Sequence, residues 1–582
     1  MKNSLENKYT KRKATGSHFT PPELASVVTR RILREIEIGD ARDAMTVLDP
    51  ACGDGELLLA FDTQTKNLNL SLVGIEQDPV SLAGAENRLQ DCKHSTNFIH
   101  GDFLEMAGNS KQVSLPLFDD APQLDNLALV DIIIANPPYV RTQVLGAEKA
   151  QQLAANFGLS GRVDLYHAFL VAMTAKLKPG GILGVITSNR YLTTRGGAAI
   201  REFLNCNYDI IEILDLGDTK LFEAAVLPAI FIGRKKNLVG RPHDGDVNGS
   251  RFLRIYEGKN HPELQIPVVQ SVYDLLDSET SGTYQSLNES KVYTVSTGNL
   301  EISTDHTQPW VLATSNESLW INQIDSRSMC RIEEIANVRV GIKTTADTVF
   351  IRSDWDGLDE ELRPETELLR PLFSAEYASR WRPTESKPTR RVLYTHHVTS
   401  GKRRPIELDK FPKAERYLEQ HRARLEGREY VRKAGRMWYE IWVPQNPSQW
   451  KLPKVVFPDI SPEPKFFFDT EGCIVDGNCY WIAPKDDTDT DILFLIMAVA
   501  NSHLMTKYHD IAFQNKLYAG RRRYLTQYIN KYPIPDPSSD NAVRLISLAK
   551  RLVFENMLPE AKEEIEREIE LHTALAFGVH ND

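Results

Sequence analysis

The sequence predicts an α/β fold: an open, mostly parallel sheet over residues 1–238, followed by a mixed α/β half. Short apolar runs rich in β-branched residues alternate with amphipathic helical runs, the signature of strand–helix–strand units. The first strands each end in an acid or a tight turn. The fourth, residues 130–135 (VDIIIA), runs directly into Asn136-Pro137-Pro138-Tyr139.

Taken in order, residues 16–23 (GSHFTPPE) lead into an amphipathic run over 24–36. Thr20 or a neighbour can cap that helix, with Pro21 and Pro22 in its first turn and Glu23 favoured there by the dipole. Free N–H groups at such a start can hold a carboxylate.

Residues 46–56 (TVLDPACGDGE) read as strand, glycine turn and helix start. They are not GxGxxG and carry no GKS/T, so neither a dinucleotide fingerprint nor a phosphate loop is supported. A strand-end acid, Asp49, beside a glycine loop suits a ligand that carries an amino acid and a nucleoside. The strand over 71–75 ends in Glu76, about 20 residues past the glycine loop, where an acid reaches both ribose hydroxyls. The strand over 97–100 ends in Gly101-Asp102-Phe103. Asp102 can accept from an adenine amino group while Phe103 packs on the ring.

The fourth strand is apolar enough to be buried on both faces. Neither Pro137 nor Pro138 can donate to a ladder, so Asn136 sits in a stiff turn at the carboxyl end, where open α/β sheets bind ligands. An amide oxygen plus a carbonyl oxygen can accept both hydrogens of an exocyclic NH2. Tyr139 offers a face for a stacked base, worth about 1–3 kcal/mol.

These motifs, in this order, resemble the γ-class N6-adenine DNA methyltransferases of restriction–modification systems, the TaqI-like and Eco57I-like family. The resemblance covers residues 14–238 with specific motifs and the rest more loosely. It implies a Rossmann-like S-adenosylmethionine-dependent methyltransferase sheet with a C-terminal mixed α/β DNA target-recognition domain. It implies Thr20, Pro21, Pro22 and Asp49 at the methionine end of the cofactor, Glu76 on the ribose, and Asp102, Phe103 and Phe169 around the adenine, with Phe19, Ala51 and Gly53 also binding the cofactor. It implies catalysis by Asn136, Pro137, Pro138 and Tyr139, with Phe222 against the far face of the flipped base. For Phe169 helical spacing alone says core, and an aromatic such as Phe222 between strands is usually core too.

The segment over 141–160, beginning at Arg141, is polar; closing over DNA and lying as a surface loop are equal readings. A helix opens at Asp164 and ends at 178–181 (KPGG), with His167 on its face. A strand follows over 182–188. Residues 210–216 and 229–232 read as a closing hairpin.

A charged, Gly-containing stretch over 235–250 reads as a linker, and 239–330 as a connecting module. Residues 331–540 read as the target-recognition domain, and 541–582 as a helical tail. Residues 376–436 hold 17 Lys/Arg against 8 Asp/Glu, whereas the whole chain of 582 residues carries a net charge of −10. The charge is segregated. Arg380, Arg382, Arg390, Arg391, Lys402, Arg403 and Arg404, with Arg521, Arg522 and Arg523 later, are candidates for neutralising phosphates.

With 41% hydrophobic and 25% charged residues, the composition is that of an ordinary globular protein. No apolar run approaches the roughly 18–20 residues of a membrane span. The N-terminus is polar and basic, unlike a secretory signal. The six cysteines form no CxxC pair, which predicts reduced thiols in a cytoplasmic protein with no metal site. Residues 458–465 superficially match PD…ExK, but the gap is too short for two strands, and about 15 residues ahead of the first cofactor motif leave no room for a nuclease domain. The expectation is methylation of double-stranded DNA without cleavage, by a chain monomeric on DNA, beside a separate cognate endonuclease. The rival readings are an NPPY methyltransferase acting on an RNA base or a protein glutamine, and an inactive DNA-binding homologue.

Overall fold

A computed structural model describes residues 20–36, 44–65, 68–108, 128–138, 165–219, 221, 227–237, 249–258, 266–300, 302, 305, 307–485, 489–517 and 520–579, with 151, 152, 155 and 157. The chain divides into two compact units, 1–315 and 316–582.

The first unit is built on strands β1 (Met45–Asp49), β2 (Leu70–Glu76), β3 (Ser95–His100), β4 (Val130–Ala135), β5 (Leu177–Ser188), β6 (Tyr208–Asp215) and β7 (Pro228–Lys235). They lie in the order β3-β2-β1-β4-β5-β7-β6, parallel except for β7, which runs antiparallel between β5 and β6. Alternation along each strand explains the two-sided burial. Val47, Ile132 and Ile134 enter one core with helices α1 (Pro22–Arg34) and α2 (Glu56–Gln64). Leu48, Ile133 and Ala135 enter the other, which also takes residues of α4 (Phe103–Gly108), α5 (Leu165–Lys176) and α6 (Ala198–Asn207). Helix α3 (Pro79–Arg88) carries a side-chain cap, Asp78 accepting from Ser81 N–H.

Helix α1 crosses β5 at Gly184, where an added Cβ would lie 2.5 Å from Ile32 Cδ1. Arg31 of α1 forms a buried ion pair with Glu212 of β6. The start of α1 differs from expectation. Pro21 is its N-cap residue and no side chain caps it, so Thr20 is left for another partner.

Residues 239–330, expected as a connecting module, are divided by the structure. Strands β8 (Arg251–Glu257), β9 (Val268–Val269), β10 (Gly282–Ser286) and β11 (Lys291–Asn299) extend the same sheet beyond β6, in the order β8-β11-β10-β9. The sheet thereby reaches eleven strands.

In the second unit, strands Ala336–Val340, Cys479–Pro484, Lys454–Pro458 and Phe467–Asp469 pair antiparallel in that order. A second sheet joins Ile351–Arg352, Arg391–Leu393, Leu369–Phe373 and Ile474–Val475. Helices Asp540–Phe554 and Pro559–Phe577, expected as a helical tail of one or two packing helices, place Leu545, Leu548, Leu552, Ile565 and Ile569 in the same core as Trp381 and Val455. They are part of this unit's core.

Candidate active site

The strand order turns back between β1 and β4. From β1 the chain moves outward through β2 and β3, then crosses to lay β4 on the other side of β1, which opens a crevice at the carboxyl ends of both strands. Val47 pairs with Ile132 and Leu48 with Ile133, so Asp49 and Asn136 end neighbouring strands at that crevice.

Asn136 follows β4 directly, with Pro137 buried and Pro138 half-buried behind it. Its amide Nδ2 donates to Thr20 Oγ1 at 3.1 Å, and the Thr20 residue is buried. Tying the nitrogen to Thr20 decides which way the amide oxygen points. Sequence reasoning placed Thr20 at a helix cap or a cofactor carboxylate. A contact across 116 positions has no local signal.

The glycine turn after β1 uses two left-handed residues, Gly53 (φ +54°) and Gly55 (φ +83°). A Cβ on Gly55 would also meet Leu89 Cδ1 at 2.7 Å. Glu76 ties this turn to the end of β2: one carboxylate oxygen accepts from Gly53 N–H at 3.0 Å, the other from Asp78 N–H at 2.8 Å. Each oxygen keeps a second lone pair for a hydroxyl donor. Asp102 accepts from Leu104 N–H at 2.9 Å through Oδ1 alone, so Oδ2 remains free to accept among the described residues. The Phe103 and Phe169 rings stack at 5.7 Å and 29°. Both are buried, and they form one aromatic floor behind Asp102.

Asp49 is buried and accepts from Ala51 N–H at 3.1 Å. Burial pushes its carboxyl up to about 8, the negative charge of Glu76 adds to that, and the Ala51 N–H opposes it. A desolvated acid with no ion pair to a described residue suits a cationic ligand. The α-ammonium of a bound amino acid fits that requirement, a glycine turn fits close backbone approach, and Glu76 fits a diol. Burial and the same two acids raise the Cys52 thiol.

Farther along the same edge, Asp215 at the end of β6 accepts from Asn189 Nδ2 at 2.9 Å and from Tyr256 O–H at 2.7 Å. Burial raises its carboxyl. This cluster stitches β5, β6 and β8 together, and no sequence motif announced it. Phe19, Tyr139, Arg141 and Phe222 lie outside the described residues.

The basic candidates of the second unit separate into two groups. Arg380 donates to Asn501 O and lies 4.0 Å from Glu566. Arg382 holds Leu552 O at 2.7 Å, Asn556 Oδ1 at 2.9 Å and Glu555 O. Arg522 forks onto both oxygens of Asp510 at 2.6 Å, and Arg523 reaches Asp459 at 2.9 Å. Arg390 and Arg391 pair with Glu376 at 3.4 Å and Asp356 at 2.6 Å. These six make contacts within the fold. The Asp459–Arg523 pair also takes the acid of the superficial PD…ExK match. Lys402, Arg403, Arg404 and Arg521 are exposed.

The chain matches known proteins. A family model described as Eco57I restriction-modification methylase matches residues 57–222. The type II methyltransferase M.BanIII of Aneurinibacillus aneurinilyticus is 49% identical over 586 aligned residues, covering 100% of both chains. The type II methyltransferase M.BstVI of Geobacillus stearothermophilus is 26% identical over 70% of this chain and 68% of its own. Among solved structures, the DNA-bound ATP-dependent type ISP restriction-modification enzyme LlaBIII matches 93% of this chain and 40% of its own, at TM-score 0.50 and 13% identity. That likeness is one of fold.

Proposed function

The chain belongs to the Eco57I-like type II methyltransferases of restriction–modification systems, and from that premise we propose that its acceptor is N6 of an adenine flipped out of duplex DNA. The observation that carries the reading is Asn136 ahead of Pro137 and Pro138, its amide nitrogen bound to Thr20, directly after the strand that pairs with the one ending in Asp49.

S-adenosylmethionine supplies a methyl group made electrophilic by its sulfonium. The chain's own residues do the rest. Asp49 offers its carboxylate to the ammonium end, Glu76 accepts from the ribose hydroxyls, and Asp102 accepts from the adenine amino group above the Phe103–Phe169 floor. On the acceptor side, extrusion of the target base costs a few kcal/mol. The Asn136 amide oxygen and the Pro137 carbonyl accept both N6 hydrogens, which draws the nitrogen lone pair out of ring conjugation and aims it. Catalysis is then largely positioning. The methylated nitrogen sheds its extra proton readily, so no strong base is needed. The second unit takes the role of target recognition, and a single chain on DNA protects the sites of a separate endonuclease.

DNA from cells that express the chain should carry N6-methyladenine at one recurrent sequence, read by sequencing that detects modified bases. Methyl label in RNA or protein but not in DNA, or only N4-methylcytosine, would overturn the reading.

The raised Asp49 carboxyl gives a second expected result. Holding a cation needs the carboxylate, so cofactor binding below about pH 8 releases a proton. Affinity should then rise with pH, by up to about tenfold per unit, until Asp49 is ionised near 8 or the ligand's ammonium begins to lose its own proton. The ligand-free fold has the opposite slope: it binds the Asp49 proton more tightly than the unfolded chain, so its stability falls as pH climbs from the ordinary carboxylate range toward 8. Titration calorimetry in two buffers of different ionisation heat measures the released proton, and Asp49→Asn should abolish it.

A further inference from the structure

The geometry points to the hairpin of His396–Thr399 and Lys402–Pro405 as a probe that enters the DNA major groove, with Arg404 reading a guanine edge in the recognised sequence. The inference rests on duplex DNA being the substrate, as proposed above, and deepens it by naming the reading element.

The hairpin is rooted firmly. Tyr394, Thr395 and Ile406 at its feet are buried. Ile406 N–H donates to Thr395 O at 3.0 Å, Thr395 Oγ1 to Tyr439 O at 3.1 Å, and Tyr439 O–H to Ile406 O at 2.7 Å. His396 is buried against Glu440 at 3.2 Å. The tip is a two-residue turn with both central residues left-handed, Ser400 (φ +50°) and Gly401 (φ +73°), the turn whose twist matches paired strands.

Register assigns the faces. Thr399 pairs with Lys402, Val398 with Arg403, and His397 with Arg404. Alternation therefore puts Thr399, Lys402, His397 and Arg404 on one face, and Val398 and Arg403 on the other. The second face turns toward the unit, since Arg403 donates to Gln445 O at 3.3 Å. On the first face Lys402 and Arg404 are exposed and make no ion pair with a described residue. No acid occurs over 396–405, and the next, Glu407, is held by Lys410 at 2.6 Å.

A lone two-stranded hairpin gains little from its own pairing, and three adjacent cations on one repel each other. Arg382 and Arg522 hold acceptors of their own unit, whereas the Lys402 and Arg404 side chains make no ion pair with a described residue. A two-stranded ribbon is one of the shapes that the major groove admits, and a guanidinium matches guanine O6 and N7 with two parallel bonds. Because the strands are clamped at their feet, a base contact at Arg404 would be made without ordering a loop.

The test uses the full chain and compares wild type, Arg404→Ala and Arg404→Lys on a duplex carrying the methylated sequence and on an unrelated duplex, across a range of salt. Arg404→Ala should weaken cognate binding by about 5–150-fold and leave the unrelated duplex within a few-fold. The methylated sequences in cells should broaden at one position, and Arg404→Lys, which keeps the charge but not the two parallel bonds, should recover only a small part of the cognate loss. Unchanged melting and cofactor binding exclude a folding defect. Equal losses on both duplexes with the salt slope reduced by about one would mark a phosphate contact and overturn the inference, as would unchanged affinity with an unchanged set of sites. Either outcome leaves adenine methylation standing, since that is read from the wild-type chain.

Discussion

Asn136→Ala is expected to lower DNA methylation by about 10²–10³-fold while cofactor affinity stays within a few-fold of wild type. The asymmetry follows from where the side chain stands. Asp49 and Glu76, the proposed partners of the cofactor's ammonium and ribose, end β1 and β2, and the substitution leaves both in place. What disappears is the amide oxygen proposed to meet the acceptor, on an amide whose Nδ2 donates to Thr20 Oγ1 at 3.1 Å. Thr20→Val should therefore reduce turnover in the same sense but less, because the Pro-Pro turn still restricts the Asn136 backbone. Single-turnover rates at saturating DNA and cofactor separate this from a binding defect. Undiminished methylation by Asn136→Ala would sink the proposed chemistry.

The sequence disclosed the parts of the site that local backbone geometry writes into short strings. Asp49, Glu76 and Asp102 were legible because each ends an apolar run, and Gly53 and Gly55 because left-handed turns select glycine. Long-range contacts left no such trace. Thr20 looked like a cap because it precedes two prolines, yet Pro21 takes that position and the hydroxyl serves Asn136. The four strands after β7 have no distinct strand pattern in the sequence, because their runs are short and mix Thr, Ser and Arg with the apolar positions. Pairing of β8 with β6 and β11 is what makes them sheet. Charge counting found a basic stretch but could not tell Arg382, spent on three acceptors of its own unit, from Arg404, which makes no ion pair among the described residues.

The second unit supplies the other large effect, at a buried ion pair that sequence gives no reason to expect. Lys454 and Asp469 side chains are both 0% exposed, 2.6 Å apart on adjacent antiparallel strands. Lys454 Nζ also donates to Trp450 O at 2.6 Å. Asp469 accepts from the N–H groups of Glu471, Gly472 and Cys473 at 2.9, 3.1 and 2.9 Å. Asp469→Ala strands an ammonium and three amide donors in the core together, so it should cost about 3–5 kcal/mol. Asp469→Asn, which keeps an acceptor for the amides but loses the charge, should fall between that variant and wild type. Adding Lys454→Met to Asp469→Asn should recover part of the loss, because the uncompensated charge goes with it. Each unit has its own core, so Asp469→Ala should abolish DNA binding at a temperature where cofactor binding by the first unit persists. Urea titrations measure the stability terms, and calorimetry with S-adenosylmethionine beside DNA-binding assays measures the split. A cost below about 1 kcal/mol, or simultaneous loss of both activities, would contradict this account of how the second unit is held together.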